Sequence, residues 1–381
     1  MSLIERITRT GPKKLLAIDG GGIRGIMALE ILKRIEDQLR PDDDGDSFRL
    51  AHYFDFIAGT STGGIIAAGL SIGMSVKEIM TFYETSGAQM FSRAGILERL
   101  RYKFESEPLA IRLQGAFGID TTLDSSRLQT LLLLVMRNAS TDSPWPLSNN
   151  PFAKYNDPIR TDNNGKIPLW QLVRASTAAP TYFPPEVIVL LGDTPENSRH
   201  FIFVDGGVTM YNNPAFQMFL MATVDRYWVH RPEARWQPGA EQMLIVSVGT
   251  GTCPDARSGL EPDDLNLLFN ATSIPSALMF AASNQQDLLC RVFGDCRVGD
   301  SIDREIGDLI GNAGPMDQEK KLFTYLRYNA ELTRAGLTTL GLPHIKPETV
   351  QKMDSVDGMS ALREVGSKTA DKVERKHFAG F

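Results

Sequence analysis

The chain has 381 residues, 42% hydrophobic and 23% charged, a balance that fits a soluble globular protein long enough for one large α/β domain or two ordinary ones. Its net charge of −6 and pI near 5.5 argue against a general nucleic-acid binder and give no polybasic attraction to anionic membranes, leaving only a local basic patch open. Cys253, Cys290 and Cys296 are odd in number and lack metal-ligand spacing, so neither a disulfide framework nor a structural zinc is expected and a reducing cytoplasm is the default.

The first residues, MSLIERITRTGPKK, contain no apolar signal core, and the longest apolar run, residues 131–136, is too short to span a bilayer. Neither a signal peptide nor a transmembrane helix is expected. Residues 15–18 form a short apolar strand pattern that runs into Asp19-Gly20-Gly21-Gly22-Ile23-Arg24-Gly25. Ile26, Leu29, Leu32, Ile35 and Leu39 then recur at helical spacing. Consecutive glycines let a backbone approach a ligand closely and aim its N–H groups at an anion or an oxyanion. Gly20, Gly22 and Gly25 also match the dinucleotide fingerprint, which needs an acidic residue at the end of a second strand about 20 positions on. At that distance lies Pro41-Asp42-Asp43-Asp44-Gly45-Asp46, a charged turn with no strand before it, which sets a nicotinamide or flavin aside.

Phe54, Phe56, Ile57 and Ala58 make a second apolar strand pattern, broken at Gly59-Thr60-Ser61-Thr62-Gly63 and followed by an Ile/Ala-rich helical pattern. Strand, sharp turn and helix are the setting of a G-x-S-x-G nucleophile elbow, where flanking glycines admit a strained serine and the following helix points free N–H groups at the site. The five-residue pattern alone occurs by chance; its context makes Ser61 the candidate nucleophile.

Residues 76–83 read as a helix. Residues 90–117 mix Phe91, Ile96, Leu97, Leu100, Tyr102 and Phe104 with Arg93, Arg99, Arg101 and Lys103, a pattern open to a lipid-touching lid or an ordinary amphipathic helix. A helix is expected over 122–136 and a long surface excursion over the Asn-, Asp-, Pro- and Ser-rich 138–165. Residues 169–179 look helical and end in RASTAAPTYFPP, whose prolines, with Tyr182 and Phe183, fix an extended apolar wall. Residues 187–191 and 201–204 read as paired strands, the second delivering Asp205, followed by Gly206 and Gly207, at its carboxyl end, where α/β sheets place functional groups. Residues 243–248 are a further strand ending in the turn Gly249-Thr250-Gly251-Thr252. Helices are expected from Asn266 on, with 323–340 continuing them.

Three glycine-flanked sites thus occur in order: DGGGIRG at 19–25, GTSTG at 59–63 and DGG at 205–207, with ASTAAPTYFPP between the last two. This set resembles the patatin-like phospholipase family over roughly residues 15–252. The resemblance implies a lipid acyl hydrolase of phospholipase A or lysophospholipase type on a three-layer α/β/α fold, with a mostly parallel central sheet. It implies a catalytic domain over 15–252 and a mainly helical C-terminal extension over 253–381 packed on it. By motif position it makes Ser61 the nucleophile and Asp205 the base of a Ser-Asp dyad, and Gly20, Gly21 and Gly22 the oxyanion loop. Gly25, Gly59, Gly63, Gly206 and Gly207 are motif glycines, and Arg24 is placed at a lipid phosphate; by residue chemistry alone a salt bridge anchoring the loop is an equal alternative for Arg24. No cofactor or metal is implied. The implied partner is a phospholipid or other acyl lipid met at a membrane surface, in the cytoplasm or at the inner membrane face. Two alternatives stay open: an acyltransferase on the same elbow, and an antiphage effector that degrades membrane lipid when a cyclic nucleotide activates it, as some bacterial members of the family do.

Overall fold

The computed structural model describes residues 1–42, 45–91, 108–180, 183–191, 197–253, 267–311, 315–354 and 356–381. Its frame is a sheet of nine described strands: β1 (Lys13–Ile18), β2 (Phe56–Thr60), β3 (Leu131–Asn138), β4 (Ser143–Ser148), β5 (Glu186–Leu190), β6 (Arg199–Asp205), β7 (Met243–Val248), β8 (Asp295–Val298) and β9 (Thr324–Tyr328). β3, β2, β1, β7, β9 and β8 lie side by side in parallel, and β4, β5 and β6 add antiparallel pairings at the β3 end. The outcome is the expected three-layer arrangement on a mostly parallel sheet.

Side chains of successive strand residues point to opposite faces, and both faces are covered. Leu16, Ile18, Ile57, Leu132, Leu134 and Met136 pack on one side with the helices α2 (Gly25–Leu39), α4 (Thr62–Ser71), α5 (Val76–Phe91) and α7 (Leu169–Ser176), counting Leu3–Thr8 as α1, Leu50–Tyr53 as α3 and Pro108–Phe117 as α6. Leu15, Ala17, Ala58, Leu133 and Ile245 face the other side, under α8 (Ala215–Thr223) and the Trp228 and Trp236 rings.

Two expectations are corrected and a third is refined. Residues 131–136, expected within a helix, are the core of β3; a run that is apolar at every position suits a strand buried on both faces as well as a helix, and periodicity cannot separate them. The excursion over 138–165 contains β4, and Asn149, Asn150, Asn156, Asn163 and Asn164 within it are buried. Asn149 accepts from the Leu132 N–H at 2.7 Å and Asn156 donates to the Ser148 and Asn150 carbonyls at 2.7 Å each, so the polar composition of this surface segment includes side chains that tie it to the sheet, while Tyr155 and Ile159 are exposed. Within 323–340, Thr324–Tyr328 is the buried strand β9 and only Arg334–Thr339 is a helix. The lid proposed for 90–117 lies mostly outside the described residues; its end, α6, is an amphipathic helix that buries Leu109, Leu113 and Phe117. Tyr182 of the proline-rich wall, and Asp43 and Asp44 of the acidic turn, also lie outside them.

The C-terminal third contributes strands as well as helices. β8 and β9 extend the sheet beyond β7. Of its helices, Leu267–Phe293 (α9), Arg334–Thr339 (α10), Pro347–Val350 (α11) and Met359–Ala370 (α12), the last packs along α2, where Arg363 pairs with Glu30 at 2.9 Å.

Candidate active site

β2 and β6 meet end to end. One edge of β3 is taken by β4, from Leu133 to Asn138, so the other edge is shared: β2 covers Leu131 to Val135 and β6 covers Met136 to Asn138. Thr60 therefore stands opposite Val135, and Asp205, arriving from the opposite direction, stands opposite Met136. This places the residue after β2, Ser61, beside the last residue of β6. The Ser61 hydroxyl donates to Asp205 Oδ2 at 2.6 Å.

Ser61 has φ 54° and ψ −122°, the left-handed side of the map that a non-glycine residue occupies only when its surroundings enforce it. The enforcement is visible. Gly59 and Gly63 lie so close that a Cβ on Gly59 would run into the Gly63 carbonyl, and one on Gly63 would run into the Ile18 and Asp19 carbonyls. The Ser61 carbonyl begins α4, accepting from the Gly64 N–H at 2.8 Å, and Tyr83 donates to the Thr62 carbonyl at 3.0 Å.

Asp205 is 5% exposed. Its Oδ1 accepts from the Gly207 N–H at 2.6 Å, which leaves Oδ2 for the serine. Burial pushes the carboxyl up to about 6, opposed by the hydrogen bonds from Ser61 and Gly207 and by the charge of buried Arg174. A carboxylate of that basicity, touching a hydroxyl in a desolvated corner, is a competent proton acceptor near neutral pH.

The glycine loop follows β1, at the neighbouring carboxyl end of the sheet. Its three glycines are not equivalent. Within the loop the Gly20 N–H donates to the Asn212 carbonyl at 3.0 Å and so is already engaged. The N–H groups of Gly21 and Gly22 have no acceptor among the described residues. Gly22 takes φ +59°, the turn that reverses the chain into α2. Gly25 opens α2 against Thr62, and Gly206 and Gly207 form the short turn after Asp205. Arg24 is 9% exposed. Among the described residues its guanidinium meets Cys253 Sγ at 3.4 Å and no carboxylate at ion-pair distance, so the anchoring salt bridge weighed from the sequence is not seen there.

Four residues of the site were not singled out from the sequence. Ser176, at the end of α7, accepts from the Ser61 N–H at 3.0 Å and donates to the Val135 carbonyl at 2.6 Å, fastening the elbow to β3. Thr250 donates to the Gly20 carbonyl at 2.6 Å, giving the GTGT turn a task in shaping the glycine loop. Thr60 donates to the Tyr211 carbonyl at 2.7 Å. Asn212 reaches Ser283 at 3.1 Å through Nδ2, and its buried Oδ1, without a donor among the described residues, lies beside the Cα atoms of Gly20 and Gly207. Only the position of Ser176 inside the proline-bounded ASTAAP run, and of Asn212 five residues after DGG, could have flagged them.

The histidines after Asp205 are elsewhere. His230 lies near Asp157, His344 contacts Glu364 and His377 meets the Tyr328 hydroxyl at 3.0 Å. Among the described residues no cluster of three or more His, Cys, Asp or Glu is placed to hold a metal ion, and no helix is long and apolar enough to cross a membrane.

Comparison with known proteins finds relatives over part of the chain. Patatin-17 of Solanum cardiophyllum is 32% identical over 245 residues, covering 62% of this chain and 60% of that protein. The cGAMP-activated phospholipase of Vibrio cholerae is 31% identical over 252 residues, covering 62% of this chain and 64% of its own length. This chain thus spans somewhat under two thirds of those relatives, while Patatin-like protein 1 of Arabidopsis thaliana is 30% identical over 324 residues, 75% of each chain. The family description "Patatin-like phospholipase" matches residues 16–219, a span that contains the glycine loop, the serine elbow and Asp205, and the chain belongs to the patatin-like phospholipase family.

Proposed function

We propose that this chain is a serine lipid acyl hydrolase working through a Ser61–Asp205 dyad. The observation that carries the reading is the 2.6 Å hydrogen bond between Ser61 Oγ, held at positive φ, and the buried Asp205. Ser61 attacks the ester carbonyl carbon while its proton passes to Asp205 Oδ2. The carbonyl oxygen becomes an oxyanion that the Gly21 and Gly22 N–H groups receive, within reach of the positive end of α4. Collapse breaks the ester C–O bond, and the leaving alkoxide takes the proton back from Asp205. Water then adds to the acyl-enzyme with Asp205 again accepting a proton, and the fatty acid leaves with Ser61 restored.

The substrate in this reading is a phospholipid or lysophospholipid met at a membrane surface, with Arg24 serving the phosphate. Its guanidinium has no carboxylate beside it among the described residues, and Arg matches phosphate with two parallel donors. Ser61→Ala with phosphatidylcholine and a short acyl ester as substrates tests the assignment, together with labelling by a fluorophosphonate. Loss of both hydrolyses and of labelling, with an unchanged melting temperature, is expected; turnover retained in the variant would sink it.

A second reading is favoured by the likeness to the cGAMP-activated phospholipase. In it, the same hydrolase answers to a nucleotide. Phospholipid hydrolysis measured with and without a panel of cyclic dinucleotides tests this, and indifference to the whole panel removes it.

A further inference from the structure

Along β4, and reaching Phe56 and Leu131, the first residues of β2 and β3, lies a cavity of about 550 Å³. None of its lining residues belongs to the glycine loop, the serine elbow or the dyad, although Pro146 and Trp145 stand across β3 from Thr60 and Asp205. It is therefore separate from the acyl site, and it is built largely from the 138–165 excursion, for which the hydrolase reading has no use. Its volume falls within the range of roughly 300–1,000 Å³ common for small-molecule sites.

The walls carry two kinds of chemistry. Trp145, Tyr155, Phe201 and Tyr227 give aromatic faces, with Trp145 and Phe201 rings 5.1 Å apart. Among them stand buried amides. Asn156 uses its Nδ2 on two backbone carbonyls, but its Oδ1 has no donor among the described residues, and neither end of the Asn164 amide has a partner there. An acyl chain filling the cavity would strand these groups at a cost of about 1–3 kcal/mol each, whereas a heterocycle with donors and acceptors on its edge would satisfy them.

The rim is basic. Lys154, Arg199 and Arg226 are exposed, and none has a carboxylate at ion-pair distance among the described residues. Asp162, which also lines the cavity, is paired with Arg160 at 2.7 Å. Arg199 also lies within electrostatic reach of Asp162, yet on a chain of net charge −6 three cations without an ion-pair partner among the described residues leave one opening with an excess of positive charge that attracts anions. Aromatic faces, amide groups with capacity left over among the described residues and a cationic mouth together match a planar base carrying phosphate.

We infer that this cavity is a nucleotide-binding site, with the base against the Trp145 and Tyr227 rings and the phosphate at Arg199 and Arg226. As regulation, the inference rests on the nucleotide-responsive reading above. Two strands link the site to the dyad: β2 runs from Phe56 to the Ser61 turn, and β6 runs from Arg199 at the rim to Asp205. A ligand that fixes Arg199 thereby acts on the strand that carries the base.

The test is calorimetric titration of the full chain with ADP and cyclic di-AMP, with inorganic phosphate and decanoate as comparators, in wild type and in R199E/R226E. Expected is binding of at least one nucleotide to wild type, weakened tenfold or more in the double variant, with phosphate alone at least tenfold weaker. Should the double variant fail to melt cooperatively, Arg226→Ala at its exposed position is expected to weaken binding threefold or more. Full-affinity binding in a folded variant would place the nucleotide elsewhere and overturn this site while leaving nucleotide control standing. Binding of decanoate without either nucleotide, phosphate binding as tightly as nucleotide, or no binding by any probe would each overturn it. The rate of fluorophosphonate labelling at Ser61, with and without the bound nucleotide, is the separate readout: an unchanged rate would keep the site and remove the control.

Discussion

Arg327 grips Asp19 with both terminal nitrogens, at 3.0 and 2.6 Å, across 308 residues of sequence and with both side chains about 5% exposed. Asp19 is the residue immediately before the glycine loop, and Arg327 belongs to β9. The C-terminal third thus holds the loop from below, and Arg327 also donates to Ser247 on β7 at 2.7 Å. Breaking a buried pair strands the remaining charge, at a cost of about 3–5 kcal/mol, while removing both members is far milder. Arg327→Met should lower stability in urea by that amount. Adding Asp19→Asn to it should recover most of the loss, and a double-mutant cycle reads the coupling directly.

The pH dependence of hydrolysis should follow Asp205. Its folded carboxyl, pushed up to about 6 by burial, must be ionised to accept the serine proton. Activity is therefore expected to rise through pH 6 and to level above it, in contrast to the limb near 4 that an ordinary aspartate would give. Stability runs the other way. A group whose pKa is raised on folding contributes stability that is fully present below its unfolded value, near 3.9, and is lost as pH rises through 6. A kcat/KM profile from pH 4 to 8, taken with short-chain ester to avoid interfacial effects, checks the limb; one centred near 4 would contradict a desolvated base.

Much of the fold and the outline of the site were legible from the chain alone. Strand, glycine turn and helix around Ser61 and around Gly20 to Gly25, and strand then Asp205, are local patterns, and each stands where local chemistry put it. The sites of failure share a cause. Residues 131–136 and 324–328 are buried on both faces of the sheet, so their side chains carry no alternation that distinguishes strand from helix. Asn149, Asn150 and Asn156 look like a loop because their partners are backbone groups, which composition does not reveal. Ser176, Thr250 and Asn212 act on the site through contacts 115 to 230 residues away, and no spacing rule reaches that far.

Ser176 is where that long-range construction is most exposed to test. Its hydroxyl is the acceptor for the Ser61 N–H and the donor to Val135, so it sets the distance between the elbow and β3, against whose next residue Asp205 is registered. Ser176→Ala should cost about 1–3 kcal/mol by leaving buried groups unpaired. It should lower kcat by tenfold or more, since small misplacements of a reacting pair are expensive. Ser176→Thr retains the hydroxyl and is expected to keep more activity than Ser176→Ala; equal losses in the two would assign the residue to packing alone.

Arg24 separates head-group recognition from loop support. If it meets the phosphate, Arg24→Ala should depress kcat/KM for phosphatidylcholine at least tenfold more than for a neutral acyl ester. Arg24→Lys keeps the charge but loses the two-donor geometry and should fall between. Equal losses on both substrates would make Arg24 a support for the turn into α2.

The last prediction concerns what performs the proton transfer. A hydrolase triad in the order Ser, Asp, His would need a histidine after Asp205, and His230, His344 and His377 are the ones the sequence offers. Each is engaged away from the elbow: His230 near Asp157 at 3.9 Å, His344 beside Glu364 at 3.1 Å, and His377 at the Tyr328 hydroxyl, with burial lowering its pKa. Asp205, in contrast, touches Ser61 directly, and its second oxygen is fixed by the Gly207 N–H so that the first faces the serine. An amide at this position can keep a hydrogen bond but cannot accept the proton. Asp205→Asn should therefore reduce kcat about as far as Ser61→Ala does, with fluorophosphonate labelling slowed in parallel and the melting temperature maintained. Replacing His230, His344 and His377 one at a time with Gln should leave activity within about threefold of wild type, since none would then touch a reacting atom. A folded histidine variant as inactive as Ser61→Ala would replace the dyad with a triad.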